Sequence, residues 1–356
     1  MKRNGALWLL AWLCALGGCS HRERNVPQAE QPIGAGSGGT PSESGAGGTR
    51  AGEGGGGAGG NSDSGSSDSG AGGAAPIDGG GGTAGSTPAA GDDAGDAAAP
   101  PVMDPRIPPT NGECPDLITG QQTIQGLDIE IFAGPRAATP GPLLFIWHGN
   151  ADTGANALAR LPRSIRDDIE ASGGVIVAPN DTMTTRAGRD IAVSLDLWFD
   201  SDFDVADHIV ACAVQSGRVD ARLIYVTGCF AGGLMAGTMT VARSSYVAGA
   251  WIESGGIAVA DWPMDEPLHA PTVMALQGYH DELVIDTEPL AEQLGAQLVA
   301  AGGTFIMCHH NGPKCSGPVE LHEQAWSLLE AHPFGTAPDL TAGLPSGYPD
   351  YCKPLH

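Results

Sequence analysis

Basic residues are scarce in this chain. Its 356 residues carry 17 Lys and Arg against 41 Asp and Glu, a formal net charge of −24, and such a surface repels nucleic acid and anionic lipid headgroups. Long apolar runs are missing as well. Ala6 to Leu16 is the most apolar segment, and it falls short of the ~20 residues that a membrane-spanning helix requires. Large apolar side chains are almost absent from His21 to Pro105, where Gly, Ala, Ser, Asp and Pro dominate, as in Gly54-Gly55-Gly56-Gly57 and Gly79-Gly80-Gly81-Gly82. No core can form from that composition. Finally, no Cys-x-x-Cys pair occurs, and the nearest approach to a Cys/His cluster is Cys308-His309-His310 with Cys315. A structural zinc site is therefore not expected, and no segment is read as a cofactor site.

What is present divides the chain into three parts. Met1-Lys2-Arg3 followed by the apolar run and Leu16-Gly17-Gly18-Cys19 reads as an export signal, residues 1–19. Its end is similar to a bacterial lipobox, which implies lipidation at Cys19 and attachment to the outer membrane or cell surface. Residues 20–105 read as a flexible linker whose root-mean-square reach is roughly 50 Å. Residues 106–356 are about the length of one α/β domain. Six cysteines fall within it, Cys114, Cys212, Cys229, Cys308, Cys315 and Cys352. An even number in an exported chain points to disulfides, with the pairing open.

Apolar segments alternate with amphipathic ones through this domain, the order of a mostly parallel, doubly wound sheet with helices on both faces. Strands are expected at Thr123–Ala133, Leu143–Trp147, Gly174–Ala178, Leu223–Thr227, Val247–Ile252, Thr272–Gln277 and Thr304–Cys308. Helices are expected at Ala155–Ala171, Phe203–Gln215, Ala231–Arg243, Glu288–Ala301 and Val319–Ala331. In such sheets chemistry gathers at the carboxyl ends of the strands.

Tyr225-Val226-Thr227-Gly228-Cys229-Phe230-Ala231-Gly232-Gly233 has the small residues of a Gly-x-Ser-x-Gly nucleophile elbow, which hold one hydroxyl above the sheet of an α/β-hydrolase. The nucleophile position, however, is Phe230. A benzyl group can neither attack a carbonyl nor release a proton. After the earlier strand, His148-Gly149-Asn150-Ala151-Asp152 reads as an oxyanion loop, with backbone N–H groups of Asn150 and Ala231 as the donors. Gly278-Tyr279-His280-Asp281 places an acid candidate, Asp281, after the penultimate strand. His309-His310-Asn311-Gly312-Pro313-Lys314-Cys315 is the loop on which a catalytic histidine belongs. Asp196, Asp200, Asp202, Asp204 and Asp207 show part of a calcium-ligand spacing, but without the glycine and closing glutamate of such a loop. They read as solvent-facing acids opening a helix. Trp147, Trp198, Trp251 and Trp262 could line a cleft or pack the core.

The elbow, the last loop and the ending Ala325-Trp326 to His332-Pro333-Phe334-Gly335 resemble secreted esterases of the polyhydroxybutyrate depolymerase and feruloyl esterase group, over about Thr123 to His332. In one set of these enzymes a cysteine directly before the serine is bonded to a cysteine directly after the histidine. The resemblance implies a Cys229–Cys315 disulfide, with Lys314 at the histidine position. It also implies an α/β-hydrolase fold and an ester polymer or small ester as ligand. Both the serine and the histidine are then substituted, and a lysine is protonated at neutral pH, so an Asp281–Lys314 ion pair is expected in place of the acid–imidazole pair. Cys114–Cys352 is expected to staple the domain ends, leaving Cys212–Cys308 by subtraction. The alternative is an active ester hydrolase with a displaced nucleophile, for which Cys229, Ser254 and His310 are the candidates.

Overall fold

The strand segments assemble into one nine-stranded sheet, in the spatial order β1 (Gly120–Ile124), β2 (Leu127–Ala133), β4 (Val175–Pro179), β3 (Gly141–Trp147), β5 (Val219–Cys229), β6 (Gly249–Glu253), β7 (Thr272–Gly278), β8 (Thr304–His310) and β9 (Cys352–Leu355). The computed structural model describes residues 103–181, 188–192, 197–259, 262–266, 269–279 and 285–355. The expected signal with Cys19, nearly all of the linker, Asp196 and the acid candidate Asp281 lie outside the described residues. All described residues belong to the unit Gly91–His356.

From β4 through β8 every neighbouring pair is parallel, while β1, β2 and β9 join antiparallel. This is an α/β-hydrolase fold. Two strand expectations change. The single strand Thr123–Ala133 is a hairpin, because Gln125 and Gly126 both take positive φ (48° and 82°) and turn the chain in two residues, as a primed turn does. The carboxyl-terminal β9 carries only four residues, Cys-Lys-Pro-Leu, too few to show a period-2 pattern.

The helices are α1 (Gly154–Arg160), α2 (Arg163–Ala171), α3 (Asp202–Gln215), α4 (Ala231–Ala242), α5 (Glu288–Ala300) and α6 (Val319–Ala331). The expected helix Ala155–Ala171 is two, since Pro162 stands between them and Leu161 before it is extended (ψ 132°), as the residue preceding a proline tends to be. Side-chain alternation along the strands sends Phe145, Trp147 and Val226 into one core layer with Phe203, Met235 and Leu294 of α3, α4 and α5. Ile146, Tyr225 and Trp251 go to the other, with Ala157, Ile165 and Leu329 of α1, α2 and α6. Every residue of β3 and of α4 is buried, so the helix that follows the elbow is held on all sides.

Two disulfides pair differently from the sequence expectation. Cys114 is bonded to Cys212 of α3 and Cys308 to Cys352. Cys308 and Cys352 are register partners across β8 and β9, so the return of the chain end onto the sheet edge decides the pairing. Among the described residues no helix is long and apolar enough to cross a membrane.

Candidate functional site

Phe230 sits at the sharp corner where β5 turns into α4, with φ 53° and ψ −112°. A non-glycine residue there carries backbone strain of about 1–3 kcal/mol and persists only where its surroundings over-determine it. The surroundings here are glycines. A methyl group at Gly228 would overlap the Gly232 carbonyl, one at Gly232 would overlap the Trp147 carbonyl, and one at Gly233 would lie 2.7 Å from the Glu253 oxygen. Hydrogen bonds fix the corner further, Phe230 N–H donating to Glu253 O at 3.0 Å and Leu234 N–H donating to Phe230 O at 2.8 Å. The geometry that would present a nucleophile is intact, and it presents a phenyl ring that is 8% exposed.

Lys314 meets that ring. Its Nζ lies 3.0 Å from the Phe230 centroid, well within the ~6 Å over which a ring quadrupole attracts a cation, and the ammonium nitrogen is buried. The contact is set by the Cys229–Cys315 disulfide, which ties the residue before Phe230 to the residue after Lys314. Ser254 adds a second tie by accepting a hydrogen bond from Cys315 N–H at 3.3 Å. The loop after β7 leaves alongside, with Tyr279 N–H donating to the carbonyls of His310 and Gly312. Asp281 follows it outside the described residues, so its pairing with Lys314 stays an expectation.

The remaining candidates divide. Ala231 opens α4 and is fully buried, and the N–H groups of a first helical turn have no intrahelical acceptor. The loop carrying Asn150 packs against the elbow, since a methyl group on Gly149 would lie 3.0 Å from Cys229 O and 3.7 Å from Phe230 Cβ. Asn150 itself is exposed. His148 anchors that loop: Asp181 N–H donates to Nε2 at 3.1 Å, so Nδ1 carries the proton and donates to Gly149 O at 2.8 Å. Trp198 Nε1 donates to His148 O and its ring sits edge-on to Trp147, which makes Trp198 a packing group, while Trp147 also lines a cavity.

Among the displaced-nucleophile candidates, Cys229 is in a disulfide. Ser254 is 0% exposed, and the Nδ1 of buried His310 accepts from Gly312 N–H at 3.1 Å. His309 is exposed and pairs with Glu288 at 2.9 Å. The acidic run is not a solvent-facing row. Asp202 is buried and accepts from Phe199 N–H at the start of α3. Asp207 is bonded to Arg243 at 2.8 and 3.0 Å and to the Tyr246 hydroxyl at 2.7 Å. Asp207 is drawn inward by Arg243 and Tyr246, which follow α4, whereas Asp204 is exposed as expected. Among the described residues no three His, Cys, Asp or Glu side chains cluster closely enough to hold a metal.

One arrangement went unread in the sequence. Glu253, the last residue of β6, pairs through Oε1 with His322 Nε2 of α6 at 3.1 Å, and its Oε2 accepts from Gly317 N–H at 3.3 Å. Burial works against the Glu253 charge, but the His322 contact and the Gly317 N–H outweigh it and hold the carboxyl below its ordinary range. Burial likewise opposes the His322 charge, and the Glu253 contact raises it above the usual histidine value. The available signal was the acidic residue of Glu253-Ser254-Gly255-Gly256 at a strand end, where attention went to Ser254. The pair lines a cavity of ≈ 290 Å³ beside the disulfide.

No protein-family model matches the chain, and no curated protein matches it. Solved structures do share the fold. The native crystal structure of pOPH superposes with a TM-score of 0.52 at 17% identity, covering 68% of this chain and 96% of that one. Native sOPH gives 0.53 at 14% identity, covering 70% and 97%. An acetyl xylan esterase from Aspergillus awamori gives 0.44 at 14% identity over 58% of this chain and 98% of its own, too distant to carry an argument.

Proposed function

We propose that this chain is an exported, lipid-anchored protein of α/β-hydrolase fold, of the polyhydroxybutyrate depolymerase and feruloyl esterase type, that has lost serine-esterase chemistry and acts by binding a ligand. The observation that carries the reading is the Lys314 ammonium 3.0 Å over the Phe230 ring. Where a serine hydroxyl would hand its proton to an imidazole, the two positions hold a cation and an aromatic face. Neither can accept that proton, and their mutual contact fills the space in which the hydroxyl would have met its base. The loss is paired: each substitution accommodates the other, while the elbow glycines and the disulfide that fixes the register are kept.

The displaced-nucleophile reading is weaker. A thiol mechanism requires Cys229 free, and a serine mechanism through Ser254 requires a hydroxyl that substrate can reach. Membrane association runs through the lipid on Cys19 alone, and the charge of −24 argues against nucleic acid.

The deciding experiment compares the natural chain with the Phe230→Ser, Lys314→His double variant on short-chain and feruloyl esters. Turnover by the double variant alone supports a scaffold whose chemistry has been switched off. Turnover by the natural chain overturns the reading.

A further inference from the structure

The ≈ 290 Å³ cavity opens at the carboxyl end of the sheet, where Trp147, Gly228 and Cys229 line it together with residues of the α1, α2 and α6 side. Its apolar wall, Ile146, Ala157, Leu161 and Trp251, belongs to the layer under α1, α2 and α6, whereas Phe230 belongs to the layer under α3, α4 and α5. The Cys229–Cys315 disulfide stands on its rim, and Val319 of α6, half exposed, forms part of its mouth. A volume near 300 Å³ is the small end of ligand-sized pockets.

Its charged groups are all matched internally. Arg160 at the mouth is paired with Asp152, and His322 with Glu253, whose second oxygen is taken by Gly317 N–H. Arg160 and Asp152 offset each other, and Glu253 is offset where His322 is protonated, so an entering anion or cation would lose its hydration without meeting an uncompensated partner. A neutral molecule incurs no such cost. Trp251 and the aliphatic wall supply contact for a flat apolar body.

We infer that this cavity is a binding site for a small, neutral, mainly apolar molecule. The inference rests on the reading of the chain as a ligand-binding homologue and names the ligand class; Phe230 and Lys314 do not line the site, although Gly228 and Cys229 of the elbow do.

Acetophenone and benzoate test it, because they match in size and differ in charge, and neither has an ester bond. Calorimetric titration of the full chain is expected to show saturable binding of acetophenone and at least tenfold weaker binding of benzoate. Ala157→Trp, which fills the floor, is expected to weaken acetophenone binding at least tenfold. Val319→Trp, at an exposed position that a folded chain tolerates, is expected to weaken it by narrowing the mouth. Absence of acetophenone binding overturns the inference, as does benzoate binding equally well or binding that survives both variants. None of these results bears on whether the elbow is inactive, which the ester assay decides separately.

Discussion

If the Phe230–Lys314 contact is an interaction and not mere adjacency, it has a measurable coupling energy. Phe230→Leu keeps an apolar side chain in the core and removes the quadrupole; Lys314→Met keeps the stem and removes the charge. With the ring 8% exposed and the ammonium nitrogen buried, the contact belongs to the desolvated class, worth about 2 kcal/mol or somewhat more. The two single changes are not expected to cost equally. Phe230→Leu leaves the ammonium buried over a side chain with no negative face, so the full coupling is lost. Lys314→Met also removes the cost of burying a charge, and its net effect is expected to be smaller. Phe230→Leu should therefore destabilise the natural chain by about 2 kcal/mol more than it destabilises the Lys314→Met variant. Urea unfolding of the four proteins, with disulfides intact, measures this difference directly. Because the pair is buried, the coupling should survive about 1 M NaCl, where surface charges are screened within ~3 Å. A coupling below about 0.5 kcal/mol, the noise of additive changes, would refute the claim that the two substitutions accommodate each other.

Four further outcomes are expected. A serine-directed phosphonate should leave the natural chain unlabelled and should label the Phe230→Ser, Lys314→His variant, as read by intact mass. Gly232→Ala should prevent or severely weaken folding, since the added methyl meets the Trp147 carbonyl; soluble yield and thermal unfolding report it, and a loss under about 1 kcal/mol would contradict the packing described. The Glu253–His322 pair should stabilise the fold most between pH 4.5 and 6.5, the ordinary values of its groups. Its contribution should fall as pH rises through the raised histidine value or drops through the lowered carboxyl value, so Tm differences between the natural chain and Glu253→Gln should peak in that window. Removing Cys308–Cys352, which closes 44 residues, by paired serine substitution should cost about 2–4 kcal/mol and should free β9 to exchange its amide hydrogens.

The parallel strands were readable because each is a short apolar run between Gly- or Pro-rich joints, and burial on both faces of β3, with all seven residues inside, leaves no other place for such a run. Failures came where a single residue overrides a pattern. Pro162 cuts an otherwise continuous helical stretch, and Gly126 reverses what looks like one long strand. The cysteine pairing failed for a different reason. Staple geometry depends on which strand the chain end joins, and nothing local to Cys352 says that it lies across from Cys308.

At the elbow the sequence disclosed the identity of the substituted positions but not their contact. Phe230 and Lys314 are far apart in the chain, and the only sequence-level link between them was the pair of flanking cysteines. The Glu253–His322 pair had no such marker, since a strand-end acid and a helical histidine at ordinary spacing look like surface residues until β6 and α6 are stacked. That asymmetry bears on how the molecule is understood. The elbow is conspicuous, its strained corner at Phe230 over-determined by the glycines around it. The cavity and the buried Glu253–His322 pair are inconspicuous in the sequence, and neither Phe230 nor Lys314 lines that cavity. A binding role is thus physically compatible with the paired substitutions, and the contact and the cavity can be tested by different variants.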